Sequence, residues 1–368
     1  MRFTFSGLVT VATQTPAGAI IDAVHRKRAL LGASLGVLVA GAFIFLGHLT
    51  LVSVYSAQFL IGVSGPFLAP TLAAITLGVV GVKAFDKQFG RNQAFNSAGN
   101  AFTALLIAYV SFRLGYRFIF VTSVVLAVPA AISLAAIDGG SIDYAKARGS
   151  TGKDDEPQPI WLGALFEDRV ILFFLLTAFL FHLGNAAILP QLGEMLSKDN
   201  LKTAAPFMSA CVIVTQLVIA VSATWIGKRA TKGRKPLLLV GFGVLPVRGV
   251  LYTLTHAAAT LIAIQVLDGV ANAIFGIVAI LSIKDLTRGT GRFNVAAGAL
   301  ATMVGIGAAA SNTVGGLLIQ HLGYRASFLG LAGIALLAFL LLLFTIPETL
   351  PSVTGGITLT DEVEPVCE

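Results

Sequence analysis

The sequence predicts an all-α, polytopic membrane protein, and three observations carry that prediction. Of its 368 residues, 56% are hydrophobic and only 12% are charged, about half the roughly 25% charge of soluble domains. Long apolar runs recur along the whole chain, separated by short charged or Gly/Pro-rich stretches. Lys and Arg sort onto alternate breaks between those runs. Apolar content this high also excludes a disordered chain.

At about 20 apolar residues per span, the runs give eleven spans. The first, 3–21, follows Arg2 and stops at Asp22. Arg2, its apolar run and Ala17-Gly18-Ala19 imitate a secretory signal, but the charged loop that follows at once favours a retained span. Span 29–47 begins after Arg26-Lys27-Arg28, and 51–78 carries Gly65-Pro66 and Pro70, which are expected to bend it. Span 92–112 follows the basic stretch Lys83, Lys87, Arg91, and 118–137 follows Arg117. Spans 170–190, 205–227, 236–256, 259–283, 293–319 and 326–346 are bounded in the same way by Arg169, Lys228-Arg229, Arg234-Lys235, Lys284, Arg292 and Arg325. The longest break, 138–169, contains Lys153-Asp154-Asp155-Glu156-Pro157 and reads as a flexible linker. The tail after Pro347 is acidic and reads as disordered. The expected organisation is therefore a five-helix bundle at 1–137, a linker at 138–169, a six-helix bundle at 170–346 and a tail at 347–368.

Alternate breaks hold 18 Lys and Arg on one side and 5 on the other. By the positive-inside rule the richer side is cytoplasmic, which puts the linker and tail in the cytoplasm of a multi-pass plasma (inner) membrane protein. This sorting accounts for the net charge of +7. Nucleic acid is not implied, because no aromatic residues interleave with the basic runs. Two cysteines cannot build a disulfide framework, and Cys211 in a span and Cys367 in the tail read as free thiols. The sequence holds no His/Cys metal spacing, no phosphate-cradling Gly-Lys-Ser/Thr loop and no nucleophile elbow. An enzyme, a cofactor and an ATP-driven pump are not expected.

The chain also repeats itself. Leu114-Gly115-Tyr116-Arg117-x-x-Phe120 recurs as Leu322-Gly323-Tyr324-Arg325-x-x-Phe328, and Arg26-Lys27 recurs as Arg234-Lys235, both at an offset of 208. Gln58-x-Leu60-x-Gly62-Val63 recurs as Gln265-x-Leu267-x-Gly269-Val270 at 207, and Gly90-Arg91 matches Gly291-Arg292 more weakly at 201. Two parallel halves follow. At that offset the span at 170–190 maps to a position before Met1, so the halves carry five and six helices, eleven of an expected twelve. The expectation is a further span upstream in the full gene product, with a genuine eleven-helix protein as the alternative.

Two six-helix halves in a parallel repeat are the layout of the major facilitator superfamily. Gly18-x-x-x-Asp22-x-x-x-Arg26-Lys27-x-x-Leu30 resembles that family's signature between its second and third helices, departing from it at Ala23 and His25. The runs Gly90–Asn100, His182–Pro190 and Asp285–Asn294 resemble one branch whose members carry no firm substrate. The resemblance implies that Asp22, Arg26 and Lys27 latch the cytoplasmic ends of the halves. Physically, a carboxylate at one helix end pairs with a neighbouring cation or helix N-terminus. The second-half echo has Ala230 at the Asp position, so the latch is expected to be asymmetric. A glycine-proline antiporter signature is not seen in 92–112.

Polar residues inside spans are functional suspects. Asn92, Asn96 and Asn100 share one helical face; they either line a central cavity or hydrogen-bond neighbouring helices. His182 and Asn185 also share a face, as cavity or proton-carrying candidates or as satisfied packing residues. Gln14 and Gln216 read as interhelix glue, and Gly298, Gly305 and Gly315 as close-packing positions. Arg248 and Asp268 reach one depth on adjacent antiparallel helices, either as a structural ion pair or as a proton-coupling or solute-clamping pair. The function expected is a secondary or facilitative transporter of a small solute by alternating access, with proton-coupled efflux among its forms, acting as a monomer in the lipid bilayer. The alternative is a transport-inactive truncated product, sensor or scaffold on the same fold.

Overall fold

The computed structural model describes residues 5–48, 50–115, 117–150, 168–199 and 201–350. Arg2, Tyr116, most of the linker including residues 153–157, and the acidic tail with Cys367 lie outside the described residues. The described chain is helical throughout: α1 (Phe5–Ala23), α2 (Lys27–Ile44), α3 (Leu51–Leu114), α4 (Arg117–Ala135), a short α5 (Tyr144–Ala147), α6 (Arg169–Asn185), α7 (Ile188–Asp199), α8 (Leu201–Ala230), α9 (Lys235–Leu251), α10 (Ala258–Leu286) and α11 (Phe293–Thr345). Among these residues there is no strand. The expected spans fall on helical stretches, except that 170–190 is interrupted at residues 186–187, between α6 and α7. The bilayer-facing side is plain from the exposed apolar residues: Phe112 is 86% exposed, Val221 82% and Phe344 79%. In 118–135 no residue is buried at all.

Two pairs of expected spans run together. Spans 51–78 and 92–112 form α3, broken only at Gly81 (φ 69°, ψ 173°); spans 293–319 and 326–346 form α11, broken only at Gly323 (φ 86°, ψ 174°). In each case two helices meet at the kink, and the break at Gly81 falls just before the charged residues Lys83, Asp86 and Lys87. Pro66 and Pro70 lie within α3 and are not where its backbone leaves helical φ/ψ, which happens at Gly81. That conformation is essentially restricted to glycine. Gly81→Ala is expected to cost about 1–3 kcal/mol, read as a lower unfolding temperature of the detergent-solubilised protein. Gly65→Ala, where an added Cβ meets nothing within 4 Å and the backbone is helical, is the control expected to hold or raise that temperature.

The repeat reaches the backbone. Gly81 and Gly289 (φ 80°) are 208 residues apart and both have positive φ, as do Gly115 (φ 95°) and Gly323. Side-chain packing repeats as well. A Cβ on Gly62 would lie 2.9 Å from Val9, and one on Gly269 would lie 2.6 Å from Val218. Gln58 Oε1 accepts from the Ser6 amide at 3.4 Å, while its counterpart Gln265 donates to Thr215 at 3.2 Å. Phe85 and Phe293, again 208 apart, meet each other edge to face with ring centroids 6.1 Å apart. Two equivalent residues touch only where the two halves face one another across their pseudo-two-fold axis.

Candidate functional site

The halves meet at the end of the bundle that carries most Lys and Arg, here called the basic end. Helix α11 begins without a side-chain cap of its own, Arg292 making none, although the first amides of any helix need acceptors. Asp22, at the end of α1, supplies them. Its Oδ2 accepts from the Val295 amide at 2.8 Å; its Oδ1 accepts from the Asn294 amide at 3.3 Å and from Asn294 Nδ2 at 2.8 Å. A carboxylate there is also favoured by the helix dipole. One turn back, Gly18 lets the α1 backbone lie against α11, since a Cβ would overlap the Asn294 carbonyl. Of the three expected latch residues only Asp22 crosses to the other half. Lys27 folds back onto the Ile21 carbonyl, and Arg26 is exposed. The correction has a simple cause: the partner of the carboxylate is a helix N-terminus, so the basic residues stay on their own side.

At the 208 offset Asp22 corresponds to Ala230 and Asn294 to Asp86. On the second crossing the carboxylate therefore sits on the opposite partner. Asp86 of α3 accepts from Arg234 Nη2 at 2.6 Å and from Lys284 Nζ at 2.5 Å. Arg234 Nε reaches Asp285 at 2.8 Å, and Lys284 lies 3.5 Å from the same carboxylate. All four side chains are buried. Burial works against the Arg234 charge, but the bond and charge of Asp285, and then those of Asp86, outweigh it and raise its pKa above the ordinary value. Glu348 accepts from the Arg234 and Lys235 amides at 2.8 and 3.1 Å, tying the start of α9 to the end of α11. The helices cross closely at Gly90 and Gly227, where a Cβ on either would come within 3.0 Å of the other's Cα. Asp86, Asp285 and Glu348 were not expected at this site; the Phe85-Asp86/Phe293-Asn294 match at offset 208 was the available signal.

The start of the linker is not a loose tether. Asp138 and Asp143 cap its two short helical turns. The Asp143 amide donates to Gly78 at 3.3 Å, and Tyr144 OH donates to the Asp22 carbonyl at 2.9 Å. Across in the other half, the Phe293 amide donates to Arg148 at 3.2 Å, and the Gly289 amide to Gly149 at 2.8 Å. Residues 138–150 thus strap both halves at the basic end. His25 stacks on Tyr144 at 3.8 Å. Tyr144→Phe removes one neutral hydrogen bond and is expected to cost about 0.5–1.5 kcal/mol, read as a modest fall in unfolding temperature with the fold kept.

Above this closed end lies a cavity of about 580 Å³ between α1, α2 and α3 of one half and α10 and α11 of the other. Its polar lining is Thr10, Gln14, Asn92, Gln93, Asn96 and Asn294; Phe89 and Phe293 are among its apolar walls. Asn92 is already engaged with Thr76 at 2.9 Å and Gln88 at 3.0 Å. Asn96 faces the cavity, but Asn100 is not in its lining and is exposed. His182 and Asn185 are not in it either. His182 Nδ1 lies 3.1 Å from the Ala178 carbonyl and the ring packs on Phe275, while Asn185 is buried. The face they share is turned toward protein, not toward the cavity.

Arg248 and Asp268 do pair, Nη1 to Oδ1, inside the second half. Asp268 Oδ2 also accepts from Gln265 Nε2 at 2.9 Å and Thr215 Oγ1 at 3.3 Å, and Tyr252 OH donates to Gln265 at 2.6 Å. The network joins α8, α9 and α10 and does not line the cavity.

Comparison with known proteins points one way. The Major Facilitator Superfamily profile matches residues 1–245 and 174–360. An uncharacterised MFS-type transporter of Mycobacterium tuberculosis is 38% identical over 349 residues, 94% of this chain and 84% of that protein. A tetracenomycin C resistance and export protein of Streptomyces glaucescens is 34% identical over 113 residues, 30% of this chain and 21% of that protein. Among solved structures, the transporter FucP in its outward conformation superposes with a TM-score of 0.72 at 14% identity, covering 94% of this chain and 92% of FucP. The human organic anion transporter MFSD10 superposes at 0.66 and 17% identity, covering 92% and 82%.

Proposed function

Because this chain belongs to the major facilitator superfamily, a family of multi-pass membrane transporters, we propose that it moves a small organic solute by alternating access. The cavity between the halves is where the solute sits. The observation that carries this reading is the pairing of that cavity with two breakable crossings at one end, Asp22 on Asn294 and Val295, and Asp86 on Arg234. Both crossings are polar, so water can take over their hydrogen bonds when the halves rock apart. The basic end is the cytoplasmic end, and the described state is closed there. Likeness to FucP in its outward conformation supports that assignment. Export is the favoured direction, supported by the Streptomyces export protein among the relatives.

A test needs no known solute. Asn96→Cys, in a background where Cys211 and Cys367 are alanine, is labelled with a membrane-impermeant maleimide from each side of the plasma membrane. Labelling is expected from the non-cytoplasmic side. Adding Asp22→Asn, which weakens the cap on α11, is expected to bring in labelling from the cytoplasmic side at equal expression. Labelling that stays on one side in every variant that breaks a crossing favours a non-transporting scaffold.

A further inference from the structure

We infer that the central cavity takes an uncharged organic solute bearing hydrogen-bonding groups, and turns away carboxylate and ammonium forms of the same skeleton. The inference rests on the transporter reading and names its substrate class.

Among the described residues none that lines the cavity is charged, and the polar surface comes from one hydroxyl and five amides. Buried charges are stable when paired, whereas an unpaired charge in a low-dielectric site is far costlier than a polar group. Nor are the nearby charged groups available to a charged solute. Asp22, behind the floor, is committed to Asn294 and Val295. Asp86 is committed to Arg234 and Lys284, and Asp268 to Arg248, off the cavity altogether.

The amides set the polar character of the wall. Asn294 gives its Nδ2 to Asp22 and to the Ala147 carbonyl, which leaves its Oδ1 without a partner among the described residues. Gln14 Oε1 has none either. Both oxygens are themselves buried from solvent, so the hydrogen-bonding surface met by a solute is that of Asn96 and the other amides of the lining, which both donate and accept. The volume of about 580 Å³ falls in the range of roughly 300–1,000 Å³ typical of organic ligands, too roomy for an inorganic ion alone. The aromatic and proline-lined remainder favours an apolar skeleton.

The test uses three probes of one shape, 2-naphthamide (uncharged), 2-naphthoate (anionic) and 2-naphthylmethylammonium (cationic). Purified protein carrying Asn96→Cys in the cysteine-free background is reacted with N-ethylmaleimide in the presence of each. The amide is expected to slow labelling by about tenfold more than either charged analogue at equal concentration, the ratio that separates sites differing by 1.4 kcal/mol in affinity. Asn100→Cys, outside the cavity, is expected to be unprotected by all three. Gln14→Lys in the same background is expected to reverse the order and admit 2-naphthoate. Protection by a charged probe equal to that of the amide, or none by any probe, overturns the inference. Neither result touches the transporter reading, which is judged by the side-switching of labelling without any solute.

Discussion

Asp86→Ala is expected to be the most damaging single change at the basic end. The side chain holds two buried cations, Arg234 at 2.6 Å and Lys284 at 2.5 Å, and with Asp285 it makes a neutral group of four. Removing it leaves two positive charges sharing one carboxylate out of contact with water. Breaking a buried pair in this way costs about 3–5 kcal/mol. The measurement is thermal unfolding of the purified protein alongside its folded yield. Lys284→Met added to Asp86→Ala restores neutrality, and the double variant is expected to unfold at a higher temperature than Asp86→Ala alone. A double variant no better than the single one would mean that the charges are solvated in the native state and that the network does not hold the halves.

The second large effect is at Arg248. Arg248→Met strands Asp268, and Asp268→Asn strands Arg248, the stranded side chains being 11% and 1% exposed in that order. Each single change is expected to cost about 3–5 kcal/mol and to reduce the amount of protein that reaches the membrane folded. The pair Arg248→Met with Asp268→Leu exchanges the charges for apolar groups of similar bulk and is expected to recover most of that loss. Because the pair lies off the cavity, the double variant is also expected to keep the side-switching of cysteine labelling. Recovery of folding with loss of switching would assign the pair a coupling role, the other reading that its depth in the membrane allows.

The span positions were legible because the runs are apolar nearly all round, and hydropathy needs no knowledge of which face points where. The same property hid the faces. Asn96 and Asn100 differ by about one turn, yet one lines the cavity and the other does not. His182 and Asn185 share a face that packs against protein. When a helix has no polar stripe, periodicity does not say which side meets a neighbour. The Arg248–Asp268 pair was readable from depth alone, since two opposite charges on adjacent helices at one level have few other partners. The Asp22 latch was readable from its motif, but its acceptor role on α11 needed the third dimension. Lys284 was read as a topology signal, because a charge at a membrane exit looks the same whether it is solvated or buried.

The contact between Phe85 and Phe293 has a consequence of its own. A residue that meets its own counterpart is the mark of an isologous interface, the self-complementary kind that builds two-fold dimers. In this respect each half behaves as a protomer whose partner happens to be covalently attached. The two positions then share one volume, so neither ring can be resized independently of the other. A loss of bulk at Phe85, as in Phe85→Leu, is expected to be offset better by Phe293→Trp than by any enlargement elsewhere in the core, and unfolding temperatures of the two single variants and the double variant measure that compensation.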